Sequence, residues 1–362
     1  MFLRCNPSVF VVEENYVILV NAKEQGIISV LINGVRYYEE NSGALSSQKT
    51  FAKISVPKEV LNNAKGYTVA YKKTVKRQSY FSKFEDEVTA TFEFKPLTKQ
   101  DDINLYFLAD IHEQYSYACK TADFFGEEVD LYLIGGDFCE FNTWEDYFKV
   151  GEFLGDISKG KIPVVFARGN HDTRGEIAEC FTQYFPSVGT STFYKAPFEQ
   201  FDCIICDLGE DKWDNSDEYG GSNDFHSFRQ REAIFLSRLQ PSEKLTFALS
   251  HACPAKTTMN EGDIFDIERD IYGKFNQELE RLNIAFMITG HIHATFIVPA
   301  MDKASILPHS YPLIVGSDKT ADDIIGTALT ITNGKLLVKF TNSNKEILGS
   351  HELDLNSKTW NF

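Results

Sequence analysis

Five short apolar runs constrain this chain more than any other feature: INLYFLA from residue 103, VDLYLIGG from 129, IPVVFA from 162, LTFALS from 245 and IAFMITG from 284. Each is apolar without alternation, so both faces of the strand it forms are covered, as in parallel sheets flanked by helices. Amphipathic segments lie between most of them. TWEDYFKVGEFLGDI has Thr143 placed as an N-cap, and SFRQREAIFLSRL has Ser227 in the same role. Strand and helix in alternation predict an α/β layered fold, whose ligand sites form beyond the carboxyl ends of the strands.

Residues 1–97 have a different rhythm. In EVTATFEF, Val88, Ala90, Phe92 and Phe94 alternate with polar residues, the period-2 pattern of a half-buried strand. Asn33-Gly34 in ISVLINGVRYYEE sits between two such runs and tolerates the positive φ angles of a type I′ hairpin turn. With SVFVVEE, YVILVNA, FAKISV and GYTVAYKKTV, the stretch holds six or seven strands and no convincing helix. It predicts a small all-β sandwich domain over 1–97, ahead of a second domain over 98–362. Strand-like pieces return after about residue 296, including TALTITNGKLLVKFTN with a second Asn-Gly turn at 333 and 334.

The formal net charge is -16, which repels a polyanion, so nucleic acid is not expected as a partner. That charge is uneven: residues 1–97 carry +3 and the remainder -19, so an acidic site able to attract cations belongs to the second part. No apolar run is long enough to cross a bilayer, and the N-terminal stretch is interrupted by Glu13 and Glu14, so no membrane partner and a cytoplasmic location are expected. Seven scattered cysteines do not form a disulfide framework. The Cys203 and Cys206 pair in FDCIICDLG lacks a second ligand pair nearby and reads as buried strand.

The residues that follow the apolar runs carry the chemistry. INLYFLA leads to Asp110 and His112, LYLIGG to Asp137, VVFARG to Asn170, His171 and Asp172, LTFALS to His251, and MITG to His291 and His293. Singly, each has an ordinary reading: an aspartate after a strand is usually a turn former, and a lone histidine is usually hydrogen-bonded structure. Jointly they do not, because five of the eight histidines end strands from separate parts of the chain. Imidazole, carboxylate and an amide oxygen, without thiolate, suit Mn, Fe or Zn better than Ca or Mg. Two such ions bridged by an aspartate acidify a water and clamp an oxyanion, the needs of phosphate ester hydrolysis.

The ordered set DIH, GGDFCE, GNHD, SH and GHIH resembles the calcineurin-like metallophosphoesterase superfamily over roughly residues 103–300. The resemblance implies a four-layer αββα metallophosphoesterase sandwich, here preceded by the β-sandwich, which would be fibronectin III-like as in purple acid phosphatases. It implies that Asp110, His112, Asp137 and His293 hold one divalent metal ion and that Asp137, Asn170, His251 and His291 hold the other, with Asp137 as the bridge. A metal-bridging hydroxide would attack phosphorus. His171 would donate a proton to the leaving oxygen or steady the transferring phosphoryl group. Glu140 occupies the place of the acid that orients this histidine in the superfamily's protein phosphatases.

Departures narrow the expectation. Purple acid phosphatases carry D-x-G and G-D-x-x-Y where this chain has His112 and Glu140; without the tyrosine a colourless Mn, Fe(II) or Zn site is expected. Competing functions are a non-catalytic metal-binding recognition protein and a nuclease of the same superfamily, the first disfavoured by His171 and the second by charge. The polar stretch 208–228, with Trp213, Tyr219, Asn223 and His226, reads as a solvated loop, the alternative being a cover over the metals. Arg174 reads as pointing to water, and His309 and His351 as surface residues. Substrate, oligomeric state and the preference for mono- or diesters are not written in these motifs.

Overall fold

The computed structural model describes residues 1–40, 48–221, 223–253, 269–303 and 307–361. The alternating N-terminal runs form β1 (Ser8–Val12), β2 (Asn15–Ile32), β3 (Val35–Tyr38), β4 (Gln48–Pro57), β5 (Gly66–Lys76), β6 (Lys83–Phe84) and β7 (Val88–Glu93). Two runs that look separate in sequence, YVILVNA and ISVLI, are one 18-residue strand, β2. Its first half pairs with β1 and β4, its second with β3 and β5, and the register with β4 shifts between Asn21 and Gly26, where the polar Lys23-Glu24-Gln25 lies. Asn33 (φ 49°) and Gly34 (φ 81°) turn β2 into β3 as a type I′ hairpin requires. A short helix, α1 (Lys58–Ala64), was not foreseen; one buried leucine, Leu61, anchors it, too little apolar periodicity to announce a helix.

The apolar runs become β8 (Ile103–Leu108), β9 (Leu131–Ile134) and β10 (Pro163–Phe166), joined in parallel, and β1 adds to β10 in parallel. After β11 (Tyr194–Pro197), the strands β12 (Phe201–Cys206), β13 (Leu245–Ser250) and β14 (Met287–Thr289) form a second parallel set. The chain then adds β15 (Ala294–Val298), β16 (Leu313–Lys319), β17 (Ile324–Thr332), β18 (Lys335–Thr341), β19 (Ile347–Asp354) and β20 (Thr359–Asn361). The first sheet thus runs β4–β2–β1–β10–β9–β8–β17–β18–β19–β20, and the second β11–β12–β13–β14–β16–β15.

Side-chain alternation sorts the second sheet into two faces. Cys203, Ile205, Phe247, Leu249, Ile288 and Ile314 join one large apolar cluster with Leu105, Phe107 and Leu133 of the first sheet. Their neighbours Ile204, Cys206, Ala248, Met287 and Leu313 face the other way, against Leu236, Ile271, Phe275 and Leu279. Those last residues belong to α5 (Phe225–Arg238) and α6 (Arg269–Arg281). On the far side, α2 (Tyr115–Ala122) lies against β8 and β17, and α3 (Trp144–Ser158) against β1 and β2, while α4 (Phe181–Tyr184) touches β4. The result is four layers, helices outside and two sheets face to face, with each fully buried large apolar side chain contributing roughly 1.5–3 kcal/mol.

Helix starts follow local chemistry. Thr143 caps α3, its N–H donating to Asp146 Oδ2 at 2.9 Å. The next helix departs from expectation: α5 begins at Phe225 with Asp224 at the N-cap, so Ser227 sits inside its first turn. No helix among the described residues is long and apolar enough to cross a membrane.

Candidate metal centre

At the ends of these strands the backbone takes conformations that side chains ordinarily avoid. Asp110 (φ 54°), His112 (41°), Asp137 (58°), His291 (71°) and His293 (52°) all lie in the left-handed region. Each costs of order 1 kcal/mol, and five cluster where the apolar runs stop. Two glycines make the crowding possible. A Cβ on Gly169 would lie 2.2 Å from Asp137 Oδ1, and one on Gly290 would lie 2.5 Å from Asp110 Oδ2.

The candidate ligands meet. Asp110, His112 and His293 form one group, Asp137, His251 and His291 another, and His112, Asp137 and His171 a third, each with its ligating atoms within 4.8 Å of one another. His293 Nε2 is 3.6 Å and His251 Nε2 3.9 Å from Asp110 Oδ1. Asp137 Oδ2 faces both halves, at 3.8 Å from His112 Nε2 and 3.1 Å from His251 Nε2. Asn170 Oδ1 lies 3.0 Å from His291 Nδ1. His171 packs edge-on against His112, ring centres 4.8 Å apart, and its backbone N–H donates to Asp137 Oδ1 at 2.8 Å. Glu140, half exposed, places Oε1 3.9 Å from His171 Nδ1.

Burial and charge make this a place that wants a cation. Asp110 and Asp137 are buried. Burial and the neighbouring Asp137 charge push the Asp110 carboxyl above its usual range, against His251 and His293. Burial also opposes ionisation of Asp137, but His251, His171 and His112 outweigh it and hold that carboxyl well below the usual range. Burial alone would strip His251 of a proton, yet Asp137 and Asp110 drive it up to about 10; His112, more distant from Asp137, is pushed down to about 3 by burial. The Nε2 atom of His112 is buried without a hydrogen-bond partner, and that of His251 is buried against Asp137 Oδ2 at 3.1 Å; metal ligation would satisfy both. His251 Nδ1 contacts Gly135 O at 2.7 Å, the outer hydrogen bond that orients a ligating imidazole. The donor set fits two divalent ions.

Residues that the sequence names without a role support the site. Asp172, fully buried, accepts from Asp137 N (2.9 Å), Phe138 N (3.0 Å) and Gly169 N (2.8 Å), stapling the loop after β9 to the loop after β10. Ser317 of β16 donates to Asp110. The stretch from 208 is not simply solvated: Glu210 and Asp211 are buried, and Asp211 Oδ2 is 3.7 Å from His291 Nε2. Glu210 accepts from Arg174 Nε (2.6 Å), Asn170 Nδ2 (3.4 Å) and Tyr219 Oη. Arg174 therefore does not point to water: one guanidinium nitrogen lies 3.1 Å from His171 Nε2, nearer than Glu140 comes to that ring. Trp213, by contrast, stays half exposed. His309 is not a surface residue either; it is buried, its Nδ1 2.5 Å from Tyr311 O. A lone glutamate in LGEDKW has no periodicity or partner spacing that would mark it as buried.

Two facing sheets whose strand ends converge on histidines and buried carboxylates define the class: an αββα protein with a metal-ligating centre. The chain belongs to the calcineurin-like phosphoesterases, whose family model matches residues 103–295. Among solved structures, purple acid phosphatase from yellow lupin (Lupinus luteus) seeds is similar at 11% identity, with a TM-score of 0.62, covering 96% of this chain and 74% of that one. PhoD is similar at 10% identity, with a TM-score of 0.62, covering 98% of this chain and 91% of that one. At such identity the likeness is one of fold, and it extends over the N-terminal strands. No curated protein sequence matches at a significant level.

Proposed function

We propose that this protein is a dinuclear metal-dependent phosphoesterase that hydrolyses phosphate esters. Its main support is Asp137 Oδ2, a buried carboxylate oxygen 3.8 Å and 3.1 Å from two buried imidazole nitrogens, on His112 and His251. Asp110, His112, Asp137 and His293 would hold one ion, and Asp137, Asn170, His251 and His291 the other, of Mn, Fe or Zn type. Bound there, such ions supply Lewis acidity toward a phosphoryl oxygen and acidify a water near neutral pH.

The chain's own residues do the rest. His171 stands beside His112 at the edge of the ligand set and gives its proton to the ester oxygen as the P–O bond breaks and the alcohol leaves. Glu140 and Arg174 flank its ring and fix its direction. Burial, with the Arg174 guanidinium beside it, holds the imidazole below its ordinary pKa against the pull of Asp137. Rates on mono- and bis-aryl phosphates, with metal content measured on the same sample, test the proposal. Turnover that rises with bound metal toward two ions per chain is expected; two bound ions with no turnover on either ester would leave a metal-binding protein without this chemistry.

A further inference from the structure

The first 97 residues carry a positive balance in an otherwise acidic chain, and the β5–β6 hairpin concentrates it. The strands pair through Thr74 with Phe84 and Lys76 with Lys83, leaving residues 77–82 as the tip. At that tip Tyr80 is 81% exposed and Phe81 91%, with Val75 of β5 59% exposed. Phe81 also has a φ of 56°, costly for a bulky residue. The tip is nonetheless ordered by its own hydrogen bonds: Gln78 N to Ser82 Oγ (3.0 Å), Ser82 Oγ to Gln78 O (2.9 Å) and Gln78 Nε2 to Phe81 O (2.8 Å). Two aromatic rings are thus presented outward from a closed turn that gives them no shelter.

Cations surround them. Lys76, Arg77 and Lys83 are exposed and form no ion pair among the described residues. Of the acids that follow, Glu85 faces Lys73 at 3.7 Å and Glu87 pairs with Arg36 at 2.9 Å, while Asp86 is exposed; all three lie farther along the chain from the tip than Lys76, Arg77 and Lys83. We propose that this hairpin is a peripheral membrane-binding element that seats Tyr80 and Phe81 in the interface of a bilayer carrying anionic phospholipids.

Shape and charge favour a bilayer over a protein partner. A stable protein interface covers about 800 Å² on each side, more than a convex tip of two rings supplies, whereas a fluid headgroup layer closes around a small wedge. Aromatic rings settle at that interface and basic residues beside them meet anionic headgroups. The remaining chain, at -19, is repelled by the same surface, so the field turns the hairpin toward the bilayer and the acidic part away. The expectation of no membrane partner came from the lack of a spanning run, which does not bear on peripheral contact.

The full-length protein, sedimented with vesicles of phosphatidylcholine alone or mixed equally with phosphatidylserine, tests the proposal. Binding to the mixed vesicles is expected, falling with salt and much weaker on phosphatidylcholine alone. It should drop about tenfold both in the Tyr80→Ser/Phe81→Ser variant and in the Lys76→Glu/Arg77→Glu/Lys83→Glu variant. Both keep the native circular dichroism and the rate on a soluble aryl phosphate. A Phe81→Trp variant should shift its emission to the blue only with the mixed vesicles. No binding by the native chain, or equal binding by the variants, overturns the proposal. So does a tip-dependent dimer seen by light scattering, or tip-dependent binding of a single-stranded oligonucleotide in place of vesicles.

Discussion

The two halves of the proposed metal centre meet at Asp137 but are built differently. Around Asn170, His251 and His291 the protein has settled the geometry in advance: His251 is buried and held through Nδ1 at Gly135 O, His291 lies against Asn170, and Glu210 accepts from the Asn170 amide. Around His112 and His293 there is less support. The His293 side chain is 35% exposed, and the His112 ring is flanked by the rings of His171 and His293. A braced, dry site loses little freedom on binding an ion, while an open one must order its ligands. The buried half is therefore expected to hold its ion more tightly, and the open half to exchange.

The harshest way to break that difference is to remove what the halves share. Asp137→Asn takes away the carboxylate both depend on, and activity should fall by of order 10³-fold or more, exceeding the loss for a single electrostatic stabiliser. Metal analysis should find both positions weakened; a variant that keeps native turnover sinks the proposed function. Next in size comes His171→Asn. It should slow turnover by roughly 10²–10⁴-fold while both ions stay bound, and loss of an ion would mean that His171 is a ligand instead.

Much of this centre was legible because parallel strands hide both faces, so apolar runs such as INLYFLA and IAFMITG mark strands and the first polar residues after them mark the site. Asn33-Gly34 and Asn333-Gly334 were legible as hairpin turns on other grounds, because both residues tolerate the positive φ they adopt. What stayed hidden depends on contacts far apart in sequence. Arg174 lies 36 residues from Glu210, and only the tertiary fold turns it from solvent onto a buried carboxylate. The single strand β2 was read as two because Lys23-Glu24-Gln25 interrupts its apolar pattern where the strand changes partners. His309 was misplaced because a histidine satisfied by a nearby carbonyl has no sequence signature.

Single-ligand changes compare the halves directly. After dialysis, His293→Ala should retain about one ion per chain, with affinity at the open position down by at least the roughly 10–100-fold that loss of an outer-shell partner costs. His251→Ala should retain fewer, because it also removes the imidazole that sits 3.1 Å from the shared Asp137. Equal residual stoichiometry in the two variants would erase the asymmetry. Gly290→Ala probes the open half from outside the ligand set: the added methyl would press on Asp110 Oδ2, and weaker binding there with the other ion retained is the expected result.

The smallest effect asks whether the bracing of the buried half matters. Glu210→Gln keeps size and burial but removes the charge that holds Arg174 and receives the Asn170 amide. With a carboxylate at 210, the Asn170 amide nitrogen has one destination and its oxygen is left toward His291. A glutamine can offer its own NH₂ group there instead, so the asparagine loses the reason to keep its oxygen inward. Affinity at the buried position should fall about tenfold, with the open position unchanged, as titration of the metal-stripped variant with Mn²⁺ would record. If both positions weaken equally, Glu210 acts on the whole loop and not through Asn170, and the tightness of the buried half must come from dryness alone.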